Sequence, residues 1–344
     1  MLRLIAMGLG ALLAALAIPA AAQVGGVPPE EQSCQRECLE GYVESYLQAM
    51  AEGNVSDALF ARTVRFTENG VELPLGNEGL WATTSSAQGY RLVVSDVETQ
   101  QVAALATVRE VAGSSAAGPD LEAEPVGVAL RLRIDADGRI SEIEQIAARP
   151  ERGLGDSSDA TSTNPFPAIG AAVEALGEPW EGYLTPVPES ERHTRAELIA
   201  IGNAYFEGLQ RNDGQGYYPF SNDCLRIENG VIAAAPAGHD LADRPAFGTI
   251  LECRQQFEEA LEGVVTGVRD RRSVAVDPER GLVFAFGFFD HRPINWTWQI
   301  GELFKVENGE ITRIEAIFIR SPYGMCSGWS TYSQCRSEEI QEVR

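Results

Sequence analysis

Three short blocks of this chain occur twice, in the same order, and this internal period constrains the fold more than any other feature. Tyr46-Leu47-Gln48-Ala49-Met50 with Gly53-Asn54 matches Tyr205-Phe206-Glu207-Gly208-Leu209 with Asn212-Asp213, 159 residues later (46 to 205). Glu68-Asn69-Gly70-Val71 matches Glu228-Asn229-Gly230-Val231, 160 residues later (68 to 228). Asp137-Gly138-Arg139-Ile140-Ser141-Glu142-Ile143-Glu144 matches Asn308-Gly309-Glu310-Ile311-Thr312-Arg313-Ile314-Glu315, 171 residues later (137 to 308). A period of this length marks a duplicated module, not a solenoid, whose repeats run ~20–50 residues. Two divergent copies of one module are therefore expected.

The segment ahead of the first copy reads as a leader. Arg3 supplies a positive start, an apolar run extends from Leu4 to Ile18, Pro19 breaks it, and Ala20-Ala21-Ala22 offers the small-x-small pattern of a cleavage site. The run is short for a membrane anchor and has no basic stop-transfer flank. Residues 1–22 are expected to be a signal peptide, 23–33 a flexible Gly/Pro-rich tail, and the product periplasmic or secreted. Charge agrees: 27 Lys+Arg against 50 Asp+Glu gives −23. That field repels nucleic acid and anionic membrane surfaces, so neither is an expected partner after signal removal. Cys34, Cys38, Cys224, Cys253, Cys326 and Cys335 make an even set behind a leader, which implies disulfides. The preferred pairing is Cys224–Cys253, Cys326–Cys335 and Cys34–Cys38; the alternative joins the N-terminal pair to the C-terminal pair. The three histidines and the cysteine spacing do not suit zinc, and no metal is expected.

Within the first copy, Leu39, Tyr42, Val43, Tyr46, Leu47 and Met50 form a helical stripe that Gly53-Asn54 ends. Val55 to Ala61 reads as a short helix. Arg65 to Leu73 reads as two strands about an Asn-Gly turn. Strands follow at Tyr90–Val97, Val102–Val111, Val126–Ile134 and Ile140–Ala147. Helices first and a run of strands after them indicate an α+β class. The Gly/Ser/Asp/Thr-rich stretch from Glu151 opens a linker. The expected division is a first domain at 34–150, a linker at 151–192, a second domain at 193–336 and a tail at 337–344.

This order of elements resembles the nuclear-transport-factor-2-like, or SnoaL-like, superfamily over about 34–150 and 193–322. The resemblance implies two tandem cone-shaped domains, each a long helix packed in a curved antiparallel sheet around a deep, mostly apolar pocket. Similar proteins include dehydratases, ketosteroid-type isomerases, epoxide hydrolases, polyketide cyclases and lyases, which generally need no cofactor; others only bind ligands or partners. The motifs are architectural and speak to fold more than to activity.

Candidate chemistry concentrates in the second copy, because the first contains no histidine and offers only Tyr42, Tyr46, Arg65, Glu68, Trp81 and Tyr90. Strand alternation over Leu282–His291 puts Phe284, Phe286, Phe288 and Asp290 on one face and Ala285, Gly287, Phe289 and His291 on the other. Either the strand is core with an Asp-His turn at its edge, or His291 and Asp290 sit on a pocket rim. His239 and Asp240 form a second cluster, either a surface loop or a base awaiting a carboxylate from elsewhere, such as Asp290 or Asp243. Tyr205 and Tyr218 are core residues or oxyanion donors. The expected catalytic set is His239, His291, Asp240, Asp290, Tyr205 and Tyr218. The expected substrate-binding set is Arg244, Phe247, Phe288, Trp296, Trp298, Arg320 and Tyr323. No P-loop, dinucleotide fingerprint, nucleophile elbow or HExxH motif occurs. The reading is an exported, cofactor-independent lyase, dehydratase or isomerase acting on a small, largely apolar molecule in the second domain. The alternative is a non-catalytic ligand-binding or scaffold protein, with homodimerisation open to either.

Overall fold

A computed structural model describes residues 33–111, 123–149, 169–241, 246, 249–260, 264–331 and 335–343. The expected leader, nearly all of the first tail, the linker up to residue 168, and Asp243, Arg244 and Phe247 lie outside the described residues. The first half contains α1 (Arg36–Glu52), β1 (Phe60–Glu68), β2 (Val71–Glu72), α2 (Leu80–Thr83), β3 (Thr84–Ser86), β4 (Arg91–Asp96), β5 (Gln101–Glu110), β6 (Glu124–Ile134) and β7 (Ile140–Ala148). Two short helices follow, α3 (Ile169–Glu174) and α4 (Glu181–Leu184). The second half contains α5 (Arg195–Arg211), β8 (Phe220–Glu228), β9 (Val231–Ala234) and α6 (Cys253–Gln255), which runs into a π-helical turn at Gln256–Ala260. Then come β10 (Gly267–Asp277), β11 (Leu282–His291), β12 (Trp296–Glu307), β13 (Glu310–Pro322) and β14 (Gln341–Glu342).

Local chemistry accounts for the joints. Thr194 accepts from the Glu197 N–H while Glu197 reaches back to the Thr194 N–H, a capping box that starts α5. Gly53, at φ +61°, ends α1. Asn69-Gly70, Asn229-Gly230 and Asn308-Gly309 all have positive φ at both positions, the backbone a two-residue hairpin turn demands. The expected helix at Val55–Ala61 is absent. Leu59 and Phe60 close one turn on the Ser56 carbonyl, and Phe60 then pairs with Ile140 of β7, so sheet pairing overrides the local pattern.

The sheets run β2-β1-β7-β6-β5-β3, with β4 also on β5, and β14-β10-β11-β12-β13-β8-β9. The duplication extends to register. Glu68 pairs with Gln145, Gln145 with Leu130 and Leu130 with Ala104. In the second sheet Glu228 pairs with Ala316, Ala316 with Glu302 and Glu302 with Ala285. The Asn69 amide brackets the backbone of Ala147, and the Asn229 amide brackets Phe318 in the same way.

The two-cone architecture is overturned. Strand dominates the described residues, the two sheets are mixed, and one curls into a half-barrel. The pairs β1–β7, β8–β13 and β10–β14 are parallel. Apart from α1 and α5, the helices are one or two turns long. The physical reason is that central strands of the sheets are buried on both faces. β11 is buried at every position, the mark of a strand covered on both sides. Leu105, Ala129, Ile146 and Ala148 of the first half share one apolar cluster with Phe284, Phe286 and Ile317 of the second. Ser33–Arg344 is one compact unit.

The contact between sheets is close and ionic as well as apolar. A Cβ at Gly301 would lie 2.5 Å from the Ala129 Cβ and 3.0 Å from the Phe286 ring. Gly301→Ala should therefore cost about 1–3 kcal/mol by overpacking, read as a lowered denaturation midpoint; an unchanged midpoint would show that the sheets can move apart freely. Arg272 grips Glu144 with two hydrogen bonds of 2.7 and 2.8 Å. Arg195 bonds Asp96 at 2.7 Å, and the Tyr90 hydroxyl donates to Glu315 at 2.7 Å. The last residues are part of this seam. Trp329 lies between the Arg65 and Arg131 guanidinium groups and donates to Thr67, and Gln341–Glu342 pair with β10.

All six cysteines pair as preferred: Cys34–Cys38, Cys224–Cys253 and Cys326–Cys335. Disulfides of this kind persist in an oxidising environment. Among the described residues no helix is long and apolar enough to cross a membrane, and no group of three or more His, Cys, Asp or Glu side chains is placed to hold a metal.

Candidate functional site

The duplicated register allows the same interior position to be compared in the two halves. In the first, Tyr46 of α1 points at the row Glu68–Gln145–Leu130, and every polar group there is matched. The Tyr46 hydroxyl donates to Gln145 at 2.7 Å and accepts from the Trp81 indole at 3.2 Å. Gln145 donates to Glu68 at 2.9 Å. Glu68 also takes the Leu80 N–H at 2.8 Å and an Arg149 guanidinium at 2.8 Å. This is a sealed structural network.

The second half keeps the tyrosine and the edge glutamate and rearranges the rest. Tyr205 of α5 replaces Tyr46, Glu228 replaces Glu68, Ala316 replaces Gln145, and Glu302 stands where Leu130 was. The polar group has moved one strand inward and become an acid. Both Glu302 carboxyl oxygens and the Tyr205 hydroxyl are buried, and none makes a hydrogen bond of normal geometry. Glu302 and Tyr205 are nonetheless close enough to influence each other's ionisation. Burial pushes the Glu302 carboxyl up to about 8, against the pull of Arg226, with Glu228 adding to the rise. Burial likewise lifts the Tyr205 phenol well above its ordinary value. Arg226 is held by Glu228 and by Gln256 at 2.8 Å, and its guanidinium lies 5.6 Å from the Tyr205 ring. Phe220, Phe257 and Phe304 complete an apolar wall, at 6.2, 5.2 and 5.0 Å from Tyr205 between ring centres. The result is an uncharged acid and a neutral phenol at neutral pH, set together in hydrocarbon.

The residues expected from sequence are dispersed. His239 and Asp240 lie exposed beyond a turn after β9. His291 ends β11, 2% exposed, with Nδ1 2.6 Å from the Val264 carbonyl oxygen, and burial lowers its basicity. Asp290 is on the opposite face, held twice by Arg269, at 2.9 and 3.1 Å, and once by Thr297 at 2.5 Å. Asp290 and His291 form no dyad, because adjacent strand residues face apart and Arg269 already claims the carboxylate. Tyr218 is buried against Phe257 and accepts from the Gly216 N–H at 3.2 Å. Phe288 lies under the Arg269 guanidinium, on the face away from α5. Trp296, Trp298 and Arg320 line the open end of the β11–β13 ladder, with the Arg320 guanidinium 3.8 Å over Trp296. Tyr323, half-buried just after β13, pairs with Arg292. Of the expected set only Tyr205 belongs to the polar cluster. Glu302, Arg226 and Glu228 were missed. A signal for Glu302 exists in the sequence: the alternating row Trp296, Trp298, Ile300, Glu302, Phe304, Val306 is apolar except at one position.

A separate groove of about 760 Å³ runs between the α4 segment and the β12–β13 turn, lined in part by Trp180, Asp223, Glu307, Glu310 and Arg313. It contains none of the residues expected from sequence.

A family model described as a domain of unknown function (DUF8021) matches residues 191–318, the span from the start of α5 into β13 that carries Tyr205, Arg226, Glu228 and Glu302. No curated protein matches the chain. Among solved structures, a de novo designed protein with a curved β-sheet is similar over 37% of this chain and 88% of that one, at 16% identity and a TM-score of 0.27.

Proposed function

We propose that this chain is an exported, cofactor-independent acid–base enzyme whose site is the Glu302–Tyr205 pair of the second half. The observation that carries the proposal is a fully buried carboxyl, neutral near pH 7, set beside a buried phenol, with neither group making a hydrogen bond of normal geometry. Buried polar groups are normally paired, and perturbed acids concentrate where proton transfer is done. Glu302 can deliver a proton to a substrate atom and recover it, while the Tyr205 hydroxyl donates to an oxygen on which negative charge develops. Arg226, fixed by Glu228 and Gln256, positions a compensating positive field nearby. The aromatic wall suits a small, largely apolar molecule, and the reaction class is elimination or isomerisation. The pair is fully buried and Phe257 packs on the Tyr205 ring, so a substrate enters only when side chains around the pair move. Export is supported by the three disulfides and by the leader-like start of the sequence.

A thermal-shift and turnover screen of small aromatic and lactone-like compounds tests this. A true substrate should stabilise the natural protein, and Glu302→Gln should keep binding while turnover falls by about 10²–10⁴, the usual share of a general acid or base. Undiminished turnover in Glu302→Gln would refute the assignment. Stabilisation by ligands with no turnover of any would favour a non-catalytic binding protein.

A further inference from the structure

His291 and Trp296 are directly opposed on β11 and β12, as are Phe289 and Trp298, so all four side chains share one face. Because a carbonyl oxygen only accepts, the 2.6 Å contact with Val264 fixes the hydrogen on His291 Nδ1, and in the neutral ring Nε2 is then a bare acceptor. That Nε2 is buried and has no partner among the described residues. The same is true of Trp296 Nε1, which can only donate. An acceptor and a donor are thus orphaned on facing positions, their ring centres 6.1 Å apart. Leaving such groups unmatched is costly, and an aromatic wall surrounds them. Trp298 lies 4.2 Å from the imidazole and 4.8 Å from Phe318. Asp290 does not compete, since it is held by Arg269 and Thr297 on the other face. Trp296 and Trp298 are only half-buried, so side chains at the surface cover the orphans.

We propose that this end of the ladder is a binding site for neutral ring compounds that carry a hydroxyl group. A hydroxyl both donates and accepts through one oxygen, which matches His291 Nε2 and Trp296 Nε1 together, and the ring stacks on the indole wall once Trp298 swings aside. A cation has nothing here to meet it, since Arg320 caps Trp296 and the imidazole is neutral. The site stands apart from Glu302, with Ile300 between them on the same face of β12, and does not depend on any activity there.

The probe is 4-methylphenol against toluene, the same ring and methyl group without the hydroxyl, titrated into protein labelled with ¹⁵N at histidine. The His291 Nε2 resonance should move on adding 4-methylphenol and stay fixed with toluene. 4-Methylphenol should bind about tenfold more tightly, the worth of one well-placed hydrogen bond. Trp296→Phe should weaken 4-methylphenol and leave toluene unchanged, and His291→Phe should make the two ligands equal. Glu302→Gln should alter none of these values, which separates this site from the proposed catalytic one. Equal binding of the two probes, an unmoved Nε2 resonance or no binding of 4-methylphenol would overturn the proposal.

Discussion

At pH 8 the Glu302→Gln protein should be more stable than the natural one, by on the order of 4 kcal/mol. An ordinary glutamate titrates at 4.5 and this one at about 8, because burial penalises its charged form. Between those values the unfolded chain releases its proton freely while the folded chain retains it. Each pH unit therefore costs the native state about 1.4 kcal/mol until Glu302 itself ionises, and the loss levels off above that point. Below pH 4.5 the carboxyl is neutral in both states and contributes no difference. Glutamine is neutral throughout and nearly the same size, so its stability should stay flat over the window in which the natural protein weakens. For a chain of this size the gap at pH 8 corresponds to roughly 8 °C in Tm. Near pH 5 the two proteins should melt within a degree or two of each other. A lower midpoint for Glu302→Gln at pH 8 would mean that the carboxylate is ionised and well paired. Stability given up at one buried position is the expected signature of a functional group.

The opposite effect is expected at the seam between the sheets. Glu144→Leu should destabilise the fold by about 3–5 kcal/mol, because it strands buried cations. Arg272 grips Glu144 with both terminal nitrogens, Arg131 approaches it at 3.5 Å, and both arginine side chains are almost wholly enclosed. Asp270 at 3.4 Å and Glu142 at 2.7 Å would remain as partial partners. Removing the charge from both sides, as Glu144→Leu with Arg272→Met, should recover most of the loss, since the net worth of a buried pair over apolar packing is small. Chemical denaturation of the two single variants and the double variant closes the cycle. A Glu144→Leu protein within 1 kcal/mol of the natural one would show that water already reaches the seam.

Local features were legible in the sequence, and long-range ones were not. The Asn-Gly turns at 69–70 and 229–230 and the cysteine pairing are settled by residues close together, and the structure agrees. The duplication was legible because its blocks kept their order. The joining of the halves was not, since Glu144 and Arg272 are 128 residues apart and nothing local marks them as partners. Strand β11 carried a warning in its unbroken apolar run from Leu282 to Phe289, which suits a strand covered on both faces better than a cone wall. Histidine is the only side chain whose unperturbed acidity lies near neutrality, so the sequence points to His239 and His291. Burial gives a glutamate the same property, and only the sheet register shows that Glu302 lies beneath Tyr205.

The most direct test of the account is the protonation state of Glu302. Infrared difference spectra between the natural protein and Glu302→Gln, recorded across the neutral and mildly alkaline range, isolate the carbonyl stretch of one protonated carboxylic acid. The account predicts that this band is present at pH 7 and disappears with a midpoint of about 8. Absence of the band at pH 7, or its loss near the ordinary 4.5, would contradict it.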